Sequence, residues 1–341
     1  MPFVPFVANL LMRPMRYVPY EALGNEPNII VDGPANSHTL ITLSHWPYSP
    51  TPAALREDLS AQIVFRYLNE PEWQVTAEAV SNNHFDEDGL VSVYSMLNPE
   101  AAQNWKELLI DIAAAGDFGT YRFREAARTT FVLSAFADVD VSPLDPGIFK
   151  QPYPRMTSSL YQELLPQLPD IIHGLNNYNT YWKPEDEMLS ESEAMIRNGS
   201  IRIDEDPSLD LAVVMIPESW NGCKVHRFTQ GRQAVCHPMA LHNAVRSFRI
   251  LLVQGRTYEF QYRYESWVQY MSRRVLPRID LVPLAAQLSD QESSGGRWVF
   301  EGVEQITPKL GLTGAEESQI APEEFVKQIT TFLRSGDAYV S

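Results

Sequence analysis

The chain has 341 residues, of which 44% are hydrophobic and 21% are charged. This length exceeds the usual limit of a single hydrophobic core, so a globular protein of two domains is predicted. The net charge of −16 argues against binding of long nucleic acids, because those proteins use basic patches to release counterions. A small anionic substrate is still compatible, since bound metal ions supply local positive charge.

Cysteine content and the N-terminus bear on the compartment. Cys223 and Cys236 are too few for a disulfide framework and lack zinc-finger spacing, which favours free thiols in a reducing compartment. Residues 1–7 are apolar but interrupted by prolines, unlike a signal peptide, and no apolar run is long enough to cross a membrane. We therefore expect a cytoplasmic protein without a membrane partner. Residues 1–7 are expected to pack on the body or on a second subunit of a homodimer.

Strand and helix patterns alternate along the first part of the chain. The predicted strands cover residues 28–31, 39–43 and 73–80, and the predicted helices cover residues 59–68, 89–96 and 105–115. Asp58 is predicted to cap the first of these helices. Such alternation is typical of an α/β fold with a mainly parallel sheet. In these sheets, ligands bind beyond the carboxyl ends of the strands.

A histidine and two carboxylates alternate directly after the third predicted strand. In extended backbone, His84, Asp86 and Asp88 point the same way, and Gly89 permits a tight turn or the close approach of a ligand. One imidazole with two carboxylates suits a divalent cation such as manganese, iron or cobalt. The alternative interpretation is a solvated acidic turn.

Three more residues that can bind metals lie at element ends. Asp32 and His45 follow the first two predicted strands, and Asp117 follows a predicted helix. Singly, they could be a turn residue, a loop histidine and a helix cap. Together with the trio they make six candidate ligands, and their four carboxylates would repel one another unless two divalent ions neutralised them.

The spacing of the trio and the following serine, His84-x-Asp86-x-Asp88-Gly89-x-x-Ser92, resembles the first motif of the DHH phosphoesterase superfamily. This superfamily includes manganese pyrophosphatases, nanoRNases and cyclic-dinucleotide phosphodiesterases. Residues 108–117 resemble its fourth motif, residues 29–32 its second, and residues 43–46 with the following helix its third, the Asp-His-His segment. The order second, third, first, fourth resembles a circular permutation, which preserves a site when the exchanged ends lie at the surface.

The resemblance implies a site with two metal ions. His84, Asp86 and Asp32 would bind one ion, and Asp88, His45 and Asp117 would bind the second together with a bridging Asp32. Mn²⁺ is the expected ion, with Fe²⁺, Co²⁺ and Mg²⁺ as alternatives, and all six residues are expected to be catalytic. Ser44 and Trp46 depart from the motif, because they replace its aspartate and its second, phosphate-contacting histidine.

The last third of the chain resembles the DHH-associated domain. Residues 249–253 and 258–262 are predicted to pair as strands, and Arg263 follows them. Gly295, Gly296 and Arg297 resemble a glycine-rich loop, in which backbone amides and an arginine would hold phosphate. The alternative for both segments is an ordinary hairpin and turn. Trp298, like Trp46, stands where the family has a histidine.

The predicted organisation is a metal-binding domain over residues 1–183, a linker helix over 184–199 with a solvated acidic face, and a smaller α/β substrate domain over 200–341. The expected function is metal-dependent hydrolysis of a small phosphoester or phosphoanhydride, such as a nucleotide or short oligonucleotide. The alternatives are a metalloenzyme that acts on a non-phosphate substrate and a non-catalytic ligand-binding protein. If Arg263 and Arg297 both point away from the metals, the non-phosphate enzyme is preferred.

Overall fold

The protein has an α/β fold, as the sequence predicts, and its described residues form two β-sheets. The computed structural model describes residues 15–220, 235–293 and 295–336. The helices are α1 (Ser60–Asn69), α2 (Glu87–Leu97), α3 (Pro99–Asn104), α4 (Lys106–Asp117), α5 (Arg124–Phe136), α6 (Tyr153–His173), α7 (Asn179–Arg197), α8 (Pro238–Ala244), α9 (Val282–Ser289) and α10 (Pro322–Ser335). The strands are β1 (Arg16–Tyr17), β2 (Asn28–Val31), β3 (Thr39–Leu43), β4 (Ala79–Ser81), β5 (Arg202–Asp206), β6 (Leu211–Ile216), β7 (Arg249–Gln254), β8 (Thr257–Tyr262), β9 (Arg297–Phe300) and β10 (Lys309–Thr313).

The first sheet is wholly parallel and has the strand order β1-β4-β2-β3. All residues of β2 and β4 are buried, as expected for a parallel sheet covered on both faces. The predicted strand over residues 73–80 is shorter in the structure. Only its last part pairs, because β1 and β2 are themselves short, while Pro71–Trp73 form a turn of 3-10 helix.

The start of α1 differs from the prediction. The helix begins at Ser60, and its first two amides donate to the carboxylate of Asp88 rather than to Asp58. Asp58 instead accepts from the backbone amides of Met271 and Ser272, at 2.6 and 2.8 Å. It therefore anchors a distant segment to the loop before α1.

The second sheet is mixed and has the order β5-β6-β7-β8-β10-β9, with only the β6–β7 pair parallel. The predicted pairing of the strands around residues 254–256 is confirmed as the β7–β8 hairpin. One apolar core packs around the first sheet and extends into β6 and β7, and a second core lies between the rest of the mixed sheet, α9 and α10. The two sheets are therefore joined by a shared core.

Part of the acidic run on α7 is buried, so it is not simply a solvated face. Glu185 and Asp186 are 6% and 7% exposed. Asp186 accepts from Arg124 Nε at 2.6 Å and from Arg128 Nη2 at 3.0 Å. Burial acts to raise the pKa of Asp186, but hydrogen bonds from Arg128 and Arg124 lower it below its usual value. The run thus fastens α7 to α5.

Asp186→Ala is expected to lower the free energy of unfolding by about 2–3 kcal/mol, because it removes the carboxylate that accepts from both Arg124 and Arg128. We expect a smaller loss of stability than for a fully buried pair, since the arginine side chains are 22% and 31% exposed. Urea denaturation measures the effect, which should be fully present above about pH 4 and be lost as the pH falls through the lowered pKa of folded Asp186. The control is Glu187→Ala, since Glu187 forms an exposed ion pair with Lys183 on the same helix. A change in its free energy of unfolding above about 0.5 kcal/mol would be unexpected.

Residues 1–7 and Cys223, which carried two sequence predictions, lie outside the described residues. Cys236 is buried, and burial raises the pKa of its thiol to about 12. In the described part of the chain, no helix combines the length and apolar character needed to cross a membrane.

Candidate metal centre

The structure brings all six predicted ligands together. Five of them form two groups with ligand atoms within 4.8 Å of one another, and Asp32 belongs to both. The first group is Asp32, His84 and Asp86, and the second is Asp32, His45 and Asp88. Asp117 adjoins the second group, since its Oδ2 lies 3.4 Å from His45 Nε2.

Asp32 lies between the two groups, directly after β2. Its φ of 47° is in the left-handed region, which glycine adopts readily and which among other residues asparagine and aspartate adopt most often. Oδ1 accepts from Ser60 Oγ at 2.8 Å and lies 3.5 Å from His45 Nε2. Oδ2 lies 3.3 Å from His84 Nε2 and is buried without a well-aligned hydrogen bond from any described residue. One carboxylate oxygen thus faces each histidine.

His45, after β3, is held in the tautomer that a metal ligand needs. Its Nδ1 lies 2.6 Å from the carbonyl oxygen of Asp58. A carbonyl oxygen can only accept, so Nδ1 carries the proton and Nε2 presents its lone pair to the carboxylates. The side chain is fully buried, and burial lowers the pKa of His45 despite the nearby Asp32. The neutral imidazole is therefore the stable form.

The backbone that brings His84 and Asp86 together has a different conformation from the predicted one. They lie in the turn after β4, and Asp86 is the N-cap of α2, accepting from Gly89 N at 2.8 Å. The trio is therefore not an extended strand, because α2 begins at Glu87 and Asp88 lies in its first turn. His84 Nε2 lies 2.8 Å from Asp86 Oδ2. Burial acts to lower the pKa of His84, but Asp86 and Asp32 raise it well above its usual value.

Asp88 joins the second group to the N-terminus of α1. Its Oδ2 accepts from Ser60 N at 2.8 Å and its Oδ1 from Ala61 N at 2.7 Å. The positive end of a helix dipole favours such a carboxylate. Even so, burial, followed by Asp32 and Asp86, raises the pKa of Asp88 well above its ordinary value. The same kinds of cause, burial first and then the neighbouring aspartates, raise the pKa of Asp117.

These residues fit divalent metal ions. Four aspartates converge where two imidazoles present nitrogen atoms, and burial, followed by the neighbouring aspartates, raises the pKa values of Asp88 and Asp117. Carboxylate oxygen and imidazole nitrogen together suit Mn²⁺, Fe²⁺ or Co²⁺. The buried Asp32 Oδ2 is an acceptor that an ion would satisfy. Buried Asp and His groups of this protein could therefore hold a metal ion.

Gly89 is required by close packing beneath the first group. A Cβ atom at this position would stand 2.3 Å from Asn82 Nδ2, 2.5 Å from Tyr161 Oη and 3.1 Å from Asp86 Oδ1. The predicted close approach is thus made by the protein's own side chains. Asn82 Oδ1 accepts from His84 N at 3.0 Å, so the asparagine also shapes the turn that carries the histidine.

Aromatic residues that the sequence did not single out as ligands enclose the centre. The Trp46 ring lies 5.1 Å from that of His84 and 5.5 Å from that of Trp267. Tyr264 stacks on Trp267 and places its hydroxyl 3.4 Å from His45 Nε2. Burial, followed by the surrounding aspartates, raises the pKa of Tyr264 well above its usual value. No local pattern marks this tyrosine, since 219 residues separate it from His45.

Arg263 is buried behind the centre rather than exposed in a cleft. Its guanidinium pairs with Glu265 and donates to the carbonyl oxygens of Phe118 and His242, each at 3.3 Å. The side chain is 3% exposed. Its charge is therefore matched inside the protein, and its hydrogen bonds hold α8 against the residue that follows Asp117.

Arg297 and the glycines before it lie on the far side of the mixed sheet. Arg297 is an exposed residue of β9, the edge strand two places from β8. Trp298 packs in the second core against Tyr258 and Phe325, and its indole donates to Glu292. The six ligands thus come together, whereas this loop is not brought to them.

Comparison with known proteins places the chain in a family. A model described as a family of unknown function, DUF6687, matches residues 13–341. The chain belongs to that family. No curated protein and no solved structure gives a significant match.

Proposed function

We propose that the protein is a metal-dependent hydrolase that uses two divalent ions. The observation that carries this proposal is the sharing of Asp32 between two groups of His and Asp ligands. A carboxylate that bridges two ions is the usual arrangement of hydrolases with ions about 3.5–4 Å apart. The resemblance of residues 84–92 to the first DHH motif supports the same chemistry.

The six ligands would be divided between two ion positions. Asp32, His84 and Asp86 would hold the first ion, and Asp32, His45, Asp88 and Asp117 the second. Asp58 would keep Nε2 of His45 available, because its carbonyl oxygen holds the proton on Nδ1. When bound, a pair of such ions activates water near neutral pH and stabilises the charge that develops on the substrate.

Mn²⁺ is the ion we expect, with Fe²⁺, Co²⁺ and Mg²⁺ as alternatives. The mixture of two imidazoles with four carboxylates is richer in nitrogen than a magnesium site usually is. It also lacks the thiolates that select softer metals. Elemental analysis of the purified protein, followed by titration of each metal into chelator-treated protein, identifies the ion.

A small phosphoester or phosphoanhydride is the substrate class that the resemblance to the DHH superfamily implies. The two ions would supply the positive charge that a phosphate group needs, and the overall charge of −16 disfavours long polyanions. Nucleotides and short oligonucleotides satisfy both conditions.

Because neither arginine is directed at the ligands, the surroundings of the centre favour a substrate that is not a phosphate, and this candidate is preferred. Arg263 is engaged with Glu265, and Arg297 lies on an edge strand of the mixed sheet. Trp46 and Trp267 line the side next to His84. Such a wall suits a less charged group, for example a carboxylic ester or amide, which the same pair of ions could hydrolyse.

A paired substrate screen tests the proposal. If the substrate is a phosphate, protein loaded with Mn²⁺ is expected to hydrolyse bis-p-nitrophenyl phosphate or p-nitrophenyl phosphate. If it is a carboxylic ester, the protein is expected to hydrolyse p-nitrophenyl acetate. Asp32→Asn should lose the activity in either arm. Binding of two Mn²⁺ ions without turnover in a broad screen of phosphate and carboxylic esters would instead indicate a ligand-binding protein. Failure to bind any divalent ion would refute the proposal.

A further inference from the structure

We propose that Tyr264 is a catalytic residue whose hydroxyl donates a hydrogen bond to an oxygen of the substrate at the second ion position. This inference rests on the proposed function, since it concerns the same centre. Tyr264 lies in the second half of the chain and would have a direct role there. The chemical class that the site would recognise is an oxyanion.

The hydroxyl is held firmly in place. Tyr264 stacks on Trp267 with ring centroids 5.6 Å apart and meets the His45 ring edge-on at 5.7 Å. Gln269 N donates to the carbonyl oxygen of His45 at 2.7 Å, and its side-chain amide donates to that of Trp46 at 2.9 Å. The segment that carries Tyr264 is thus tied directly to the loop that carries a ligand.

The tautomer of His45 determines what the hydroxyl can do. Because Nδ1 donates to Asp58 O, Nε2 is an acceptor and the Tyr264 hydroxyl at 3.4 Å is the donor. An ion at the second position would take the lone pair of Nε2. The hydroxyl would then lose this acceptor while it still points at the ion position. An oxygen atom of a bound substrate is the natural replacement.

The charges around the centre give this donor its importance. Asp32, Asp88 and Asp117 repel a negatively charged oxygen, and Arg263 is already paired with Glu265. A neutral, preorganised donor stabilises an oxyanion without adding charge to the metal site. Phosphoryl and carboxylate oxygens share this chemistry, so both are candidate ligands.

Tyr264→Phe removes the hydroxyl and keeps the stacked ring. Calorimetric titration of Mn²⁺ into chelator-treated protein should show an affinity within about threefold of wild type or slightly tighter, since the hydroxyl no longer competes for Nε2. Orthophosphate and acetate are then titrated separately into Mn²⁺-loaded protein. Whichever anion binds the wild type should bind the variant about 10- to 100-fold more weakly, as expected for a lost hydrogen bond to a charged group.

Tyr270→Phe is the matched control, because its ring packs against Phe118 and Phe248 six residues further along the same segment. The affinities of Tyr270→Phe for Mn²⁺ and for the anions should equal those of the wild type. Equal anion affinity in wild type and Tyr264→Phe would overturn the role of Tyr264 and leave the hydrolase proposal standing. Loss of Mn²⁺ binding in Tyr264→Phe would also overturn it, because the tyrosine would then be a ligand or a structural support. If Mn²⁺-loaded wild type binds neither anion, the oxyanion inference fails; if it does not bind Mn²⁺ or another divalent ion, the proposed function fails.

Discussion

Asp32→Asn is expected to abolish binding of both ions at once. Asparagine keeps the shape of the side chain, tolerates the φ of 47° and can still accept from Ser60 Oγ, so the change mainly removes negative charge. Loss of a residue that only supports a ligand typically weakens metal binding about 10- to 100-fold. Loss of a shared ligand should therefore exceed about 100-fold for each ion, measured by titration with Mn²⁺ and by elemental analysis.

Asp210→Asn is the matched control for this variant. Asp210 is also buried and also has a positive φ, of 51°, but it accepts from Phe248 N rather than facing the histidines. Its replacement should leave the metal content at the wild-type value. Full metal occupancy in Asp32→Asn would remove this residue from the centre, and loss of only one ion would show that it does not bridge.

Removal of the metal is expected to produce the second large effect. Ions that bind only the folded state stabilise it by about 4 kcal/mol when their concentration is a thousandfold above Kd. For a chain of this size, we expect addition of Mn²⁺ to chelator-treated protein to raise the melting temperature by about 5–10 °C. Without an ion, the burial of Asp88 and Asp117 among other aspartates, which raises their pKa values, makes their ionised forms oppose folding.

This stabilisation should increase with pH. The pKa values of Asp88 and Asp117 are raised in the folded protein, so the metal-free fold is favoured below their unfolded pKa of about 4 and loses stability as the pH rises through the folded values. His84, whose pKa is also raised, acts in the same direction above about pH 6.5. His45, whose pKa is lowered, acts in the opposite direction below about pH 6.5.

Melting temperatures measured with chelator and with Mn²⁺ from pH 5 to pH 8 test this expectation. The gap between the two curves should widen with pH, because protons and metal ions compete for the same carboxylates. A gap that narrows would contradict the assigned ligands. Asp32→Asn serves as the control, since Mn²⁺ should leave its melting temperature unchanged at every pH.

Five of the six ligands could be found from the sequence because local rules place them, and the sixth, Asp117, ends a predictable helix. Asp32 directly follows β2 and His45 lies two residues beyond β3, in a parallel sheet whose carboxyl ends lie at one edge. His84, Asp86 and Asp88 are close in the chain and must lie close in space in any backbone conformation. The expected extended backbone was nevertheless wrong, because Asp86 caps α2 and a helix, not a strand, carries Asp88.

The surroundings of these ligands depended on contacts that no local pattern encodes. The sequence by itself determined the α/β class, the parallel first sheet and the candidate metal ligands, since these follow from residue type and periodicity. Only the tertiary structure decided that Asp88 rather than Asp58 accepts from the first amides of α1. It also decided that Arg263 is paired inside the protein and that Tyr264 faces His45. The physical reason is that a buried charge or hydroxyl takes whichever partner the packing brings within about 3 Å, and here the packing joins segments more than 200 residues apart.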